Sequence, residues 1–148
     1  LVFEKPSTRT KVSFDLAMYE LGGHTVYLDT ATSQLGRGES YQDTGRILSR
    51  YVHGIVIRTF AQKNVEDLAK GSTVPVINGL SDLYHPCQVL SDLFTIQEVK
   101  GKKLNQTISY VGDGNNMANS WIMAAILMGF PLWVATPEGF EPSAAILK

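Results

Sequence analysis

The chain has 148 residues, 44% of them hydrophobic and 18% charged, with a formal net charge of -1. Such a balance supports a packed core and excludes extended disorder, and the near-neutral charge offers no basic field for nucleic acid or a membrane surface. The one cysteine, Cys87, cannot form a disulfide within the chain, and the longest apolar stretch, 121–130, is far short of the about 20 residues that span a bilayer.

In chain order, short apolar runs predict strands at 1–3, 25–28, 54–58, 74–77, 107–111 and 132–135. Most are apolar on successive residues, as strands covered on both faces are. Three helical stripes lie between them: Phe14, Ala17, Met18 and Leu21; then Thr44, Ile47, Leu48 and Tyr51; then Val89, Leu90, Leu93 and Phe94. Strand and helix in alternation predict an α/β fold, a parallel sheet with helices on both faces. The polar, glycine-bearing stretch at 100–103 precedes a fresh strand. It predicts one domain over 1–100 and the start of a second, Rossmann-like α/β domain over 101–148. The apolar start at Leu1 and the unfinished helical turn at 143–148 are read as the ends of a fragment.

Three strand ends carry chemistry. After the first strand, Pro6 leads into Ser7, Thr8, Arg9 and Thr10 at the start of a helix. Helix N-termini present unpaired N–H groups and a partial positive charge, so an anion belongs there. A helix cap by itself would explain Ser7. Arg9 among hydroxyls adds a fork that grips phosphate oxygens in pairs. The second end is Arg58, directly after Ile55, Val56 and Ile57; a charge there is also simply where a buried strand surfaces. The third is His85, before a helix opened by Pro86, with Gln88 one turn on. A lone histidine before a helix is commonly a cap or a surface residue, and His24 and His53 are read that way. Ligands of open parallel sheets bind on this edge, and a neutral imidazole there is a usable donor. Cys87 reads as a small buried hydrophobe, and the scattered histidines give no zinc spacing. The turn Gly112-Asp113-Gly114 begins like a dinucleotide fingerprint, but the third glycine position is Met117, so the fingerprint fails.

Together these residues resemble the transcarbamoylases, over essentially the whole chain. Phe3-Glu4-Lys5-Pro6-Ser7-Thr8-Arg9-Thr10 is similar to their carbamoyl phosphate loop and His85-Pro86-Cys87-Gln88 to their His-Pro-x-Gln element. Gln34-Leu35-Gly36-Arg37-Gly38-Glu39-Ser40 resembles the loop that reaches a neighbouring subunit's site. Residues 43–51, 55–60 and Gly112-Asp113-Gly114-Asn115-Asn116-Met117 resemble the ornithine branch. The resemblance implies that Ser7, Thr8, Arg9, Thr10, Gln34, Arg58, His85 and Gln88 bind carbamoyl phosphate. Arg58, His85 and Thr10 would act on its carbonyl, Gln88 would orient its amide, and Asn116 would hold L-ornithine. Citrulline and phosphate would be the products, with no metal, cofactor or covalent intermediate. It also implies a homotrimer with shared sites, in the cytoplasm or, for a eukaryotic source, the mitochondrial matrix. Lys11 departs from the second arginine common at that position, and Arg37-Gly38 is one of several versions of its loop. The family's later aspartate, Ser-Met-Gly and His-Cys-Leu-Pro elements are not in this chain. Two alternatives stay open: another transcarbamoylase, for aspartate, putrescine or an acylated ornithine, and a protein that binds carbamoyl phosphate or phosphate without turnover.

Overall fold

The computed structural model describes residues 1–101 and 106–148. The chain divides into two compact units, Leu1–Ser81 and Asp82–Lys148. The boundary stretch read from the sequence near 100–106 falls partly on residues 102–105, which lie outside the described residues. Among the described residues no helix is long and apolar enough to cross a membrane.

The first unit is built on a four-stranded parallel sheet in the order β2-β1-β3-β4, with β1 Val2–Phe3, β2 Leu28–Asp29, β3 Ile55–Arg58 and β4 Val76–Leu80. Its core is aliphatic: Val2, Ile55, Ile57, Val65 and Leu68 are buried together, with Leu28, Leu48 and Val76 packed on them. Removing these side chains from water, at about 25 cal/mol per Å² of apolar surface, is what holds such short strands in register. Two short 3₁₀ turns, Thr30–Thr32 and Leu35–Arg37, follow β2.

Helix α1, Thr8–Glu20, is capped by Ser7 but buries none of its side chains. In the predicted stripe Met18 is 39% and Leu21 82% exposed. Helix α2, Tyr41–Leu48, keeps only part of its predicted face: Thr44 is buried and Leu48 packs on the core, but Ile47 and Tyr51 face solvent and Gly45 is buried beside Thr44. The cause is a close crossing with α3, Gln62–Gly71, a helix that the sequence stripes did not include. A methyl at Gly45 would stand 2.5 Å from the Leu68 carbonyl oxygen, and one at Gly71 would overlap the Gln42 backbone. Only glycine lets the two backbones approach so near. Strand β4 runs on through Asn78, Gly79 and Leu80, past the end at 77 that the apolar run predicts. Ile57 pairs with Asn78 and Arg58 with Leu80, so Gly79 is the extra residue of a bulge.

The second unit holds α4, Pro86–Lys100, and a parallel strand pair, β5 Ile108–Val111 and β6 Leu132–Ala135, joined through α5, Asn116–Met128. Its core is Val89, Leu93, Trp121 and Phe130, with the two rings edge to face at 6.1 Å. Leu90 and Phe94 of the predicted α4 stripe are exposed. Asn115 caps α5 by accepting from the N–H groups of Met117 and Ala118, and Gly129 closes it in the left-handed region at φ +74°. The turn before α5 has no room for a side chain at Gly114, where the backbone of residues 141–142 passes and the Gly114 N–H donates to the Phe140 carbonyl.

Candidate active site

The strand order reverses between β1 and β3: the chain leaves β1 for β2 on one side and then continues to β3 on the other. In open parallel sheets ligands bind beyond the carboxyl ends of the strands at such a point. Helix α1 starts just after β1, and Arg58 is the last residue of β3. The topology therefore brings two of the three chemical strand ends together.

The contacts are specific. Ser7 Oγ accepts from the Thr10 N–H at 3.3 Å and donates to Thr10 Oγ1 at 2.9 Å. Arg58 Nη1 also donates to Thr10 Oγ1, at 3.4 Å. Thr10 thus accepts twice, which leaves its own hydroxyl proton for a further acceptor. Among the described residues the Arg58 guanidinium meets a hydroxyl here and no carboxylate, and its buried Nε has no hydrogen-bond partner; burial pulls the group below the ordinary arginine value. A partly buried cation without a counter-charge is costly, and an anion seated beside it would offset that cost. Thr8 and Arg9 are exposed on the first turn of α1. Gln34 is exposed before the second 3₁₀ turn, its carbonyl accepting from Arg37 and Glu39 N–H, and among the described residues no hydrogen bond ties it to Ser7, Thr10 or Arg58.

A residue missed as a functional candidate holds this corner. Glu4 Oε2 accepts from the Thr59 hydroxyl, the Asn64 amide at 3.2 Å, the Phe60 N–H at 3.4 Å and the Tyr41 hydroxyl at 3.4 Å. The Glu4 N–H donates to the Arg58 carbonyl at 2.8 Å. One carboxylate thus ties the loop after β1 to the end of β3, to α2 and to α3. Burial and, second, the charge of Glu4 push the Tyr41 phenol above its ordinary value. A charge between an apolar strand and a phosphate-type loop was the available signal.

The remaining candidates belong to the second unit. His85 is the residue before α4, half-buried, and its backbone N–H donates to Ser120 Oγ at 2.7 Å. Gln88 is exposed, and its Nε2 donates to Asp92 at 2.9 Å. Asn116 is the first residue of α5, half-buried, beside the capping Asn115. Cys87 is half-buried and burial pushes its thiol up, so it stays protonated and is no nucleophile at neutral pH.

Fold and corner together define a parallel α/β protein with two hydroxyls and a guanidinium gathered at the strand edge where the order reverses. Residues 1–98 match the carbamoyl-P binding domain of aspartate/ornithine carbamoyltransferase, and residues 104–148 match its Asp/Orn binding domain. The chain belongs to the aspartate/ornithine carbamoyltransferase family. It is 57% identical over its full length to an ornithine carbamoyltransferase of Syntrophotalea carbinolica, covering 49% of that protein. It is 58% identical over 147 residues to one of Desulfotalea psychrophila, covering 48%. Among solved structures, the ornithine carbamoyltransferase from Pyrococcus furiosus superposes with a TM-score of 0.91 at 55% identity, over 99% of this chain and 47% of that one. The anabolic ornithine carbamoyltransferase from Campylobacter jejuni gives 0.91 at 41%, over 99% and 48%. The chain spans about half the length of the curated relatives it matches.

Proposed function

We propose that the whole protein carrying this chain transfers the carbamoyl group of carbamoyl phosphate to the side-chain amine of L-ornithine, giving citrulline and phosphate. The observation that carries the reading is the Arg58 guanidinium, its Nε without a hydrogen-bond partner among the described residues, beside Ser7 and Thr10 where the strand order reverses. The names of the relatives support ornithine as the acceptor. Ser7, Thr8, Arg9 and Thr10 bind the phosphate, together with Arg58 and with Gln34 acting on a neighbouring subunit. Arg58, His85 and Thr10 donate to the carbonyl oxygen as charge gathers on it. Each such donor is worth roughly 3–4 kcal/mol in acyl-transfer sites. Gln88 orients the carbamoyl amide, and Asn116 holds the backbone of ornithine. The amine nitrogen bonds to the carbonyl carbon, the bond to the phosphate oxygen breaks, and the departing phosphate takes the proton. Residues 1–100 are the carbamoyl phosphate domain in this reading, and 101–148 open the amino-acid domain. The assembly is a homotrimer in the cytoplasm.

The test is a ureido-product assay on the whole protein, with carbamoyl phosphate and ornithine, aspartate, putrescine or acetylornithine in parallel. Product with ornithine and none of the others is the expected result. Product with a different amine moves the acceptor and keeps the carbamoyl phosphate half. No product with any of them replaces the enzyme with a binding protein.

A further inference from the structure

Two neighbouring side chains of α5 are polar and nearly sealed from solvent: Asn119 is 5% and Ser120 4% exposed. Buried polar groups on an apolar helix face are costly unless they serve a bond. These two serve the turn that presents His85. Asn119 Nδ2 donates to the Leu83 carbonyl at 3.0 Å, and Ser120 Oγ accepts the His85 N–H at 2.7 Å. Ser120 also donates its proton to the Asn116 carbonyl at 2.6 Å, one turn back on its own helix. A hydroxyl has one proton and two lone pairs, so both bonds form together, and the donated one strengthens the accepted one.

We infer that Ser120, with Asn119, is a positioning residue that locks the His85 turn to the first turn of α5, so that His85 and Asn116 keep one fixed spacing. The inference rests on the proposed function for what that spacing does. His85 is the proposed donor to the carbamoyl carbonyl and Asn116 the proposed holder of the amine substrate. Their spacing then sets how the attacking nitrogen meets the carbonyl carbon. Neither Ser120 nor Asn119 needs to touch a substrate. Proline at the first position of α4 suits the same device, because the N–H that turn must anchor is then that of His85.

The experiment uses the whole protein with Ser120→Ala and Ser120→Thr. Misplacing a reacting group by about 1 Å costs on the order of a hundredfold, so kcat in Ser120→Ala falls by roughly 10- to 100-fold. The Kd for carbamoyl phosphate moves by less than about threefold, since the interaction lost acts at the transition state. Ser120→Thr keeps the hydroxyl and recovers most of kcat. Deuterium exchange of the peptide holding His85 quickens in Ser120→Ala, with the rest of the protein unchanged. Should Ser120→Ala fail to fold, Asn119→Leu breaks the Leu83 tether and gives the same local exchange and the same kcat loss. Wild-type kcat in the alanine variant, or wild-type exchange at His85, overturns the inference. If the wild-type protein carbamoylates no ornithine, the proposed function falls, and the exchange measurement still decides the lock.

Discussion

The two units hold their polar turns in opposite ways. In the first, a half-exposed carboxylate, Glu4, gathers donors from Tyr41, Thr59, Phe60 and Asn64 at the strand ends. In the second, two buried neutral side chains, Asn119 and Ser120, reach from a helix to the turn at Leu83 and His85. A carboxylate accepts several bonds at once and keeps contact with water, so it suits an edge where four elements surface. A hydroxyl or amide serves one or two partners but costs less to bury, so it suits a helix face. The lesson concerns what each leaves open. The Glu4 backbone N–H holds the Arg58 carbonyl while, among the described residues, the guanidinium Nε has no hydrogen-bond partner, and the Ser120 hydroxyl fixes the backbone of His85.

The largest effect expected from breaking this contrast is on Arg58. Arg58→Ala lowers kcat/KM by about 10²–10³-fold, the loss typical of one oxyanion donor. A steady-state assay with less than a tenfold loss would remove Arg58 from the chemistry. Gly71→Ala forces apart α2 and α3, on which the Tyr41 and Asn64 ends of the carboxylate hub rest. It lowers stability by about 3 kcal/mol, the upper end for overpacking, read as a shifted denaturation midpoint. Glu4→Ala removes the acceptor of the hydroxyl proton of fully buried Thr59, which keeps only the bond it accepts from the Asn64 amide, and costs about 1–3 kcal/mol. It also weakens carbamoyl phosphate binding in calorimetry; unchanged affinity would make Glu4 a purely structural residue. A smaller effect concerns alkali. The Tyr41 phenol sits above its ordinary value in the folded state, through burial first and Glu4 second. The unfolded chain therefore loses that proton first. The contribution is whole below about pH 10 and declines as pH rises through the folded value. Tyr41→Phe removes that part of the decline in midpoints measured between neutral and alkaline pH. The smallest is Lys63→Ala, which breaks an exposed pair with Asp67 and shifts the midpoint by no more than about 0.5 kcal/mol.

Several parts of this molecule were legible because their causes are local. The apolar run before Arg58, the serine cap at Ser7 and the proline at the head of α4 each depend on neighbours within a turn or two. The family resemblance was legible for the same reason: its motifs are contiguous. Helix α3 was missed although Val65 and Leu68 hold its core face, because one apolar pair in ten residues makes too thin a stripe.

The sequence by itself determined the parallel α/β class, the helix start capped by Ser7, and membership of a transcarbamoylase-like group. The tertiary structure decided which face α2 buries, that β4 runs past Gly79, and that Glu4 and Ser120 anchor the turns that carry Arg58 and His85. Periodicity and capping act over a few residues, so they can be read along the chain. The Glu4 hub spans up to 60 positions and the Ser120 bond 35. Such partners meet only when strands pair and helices cross, and no local pattern encodes that.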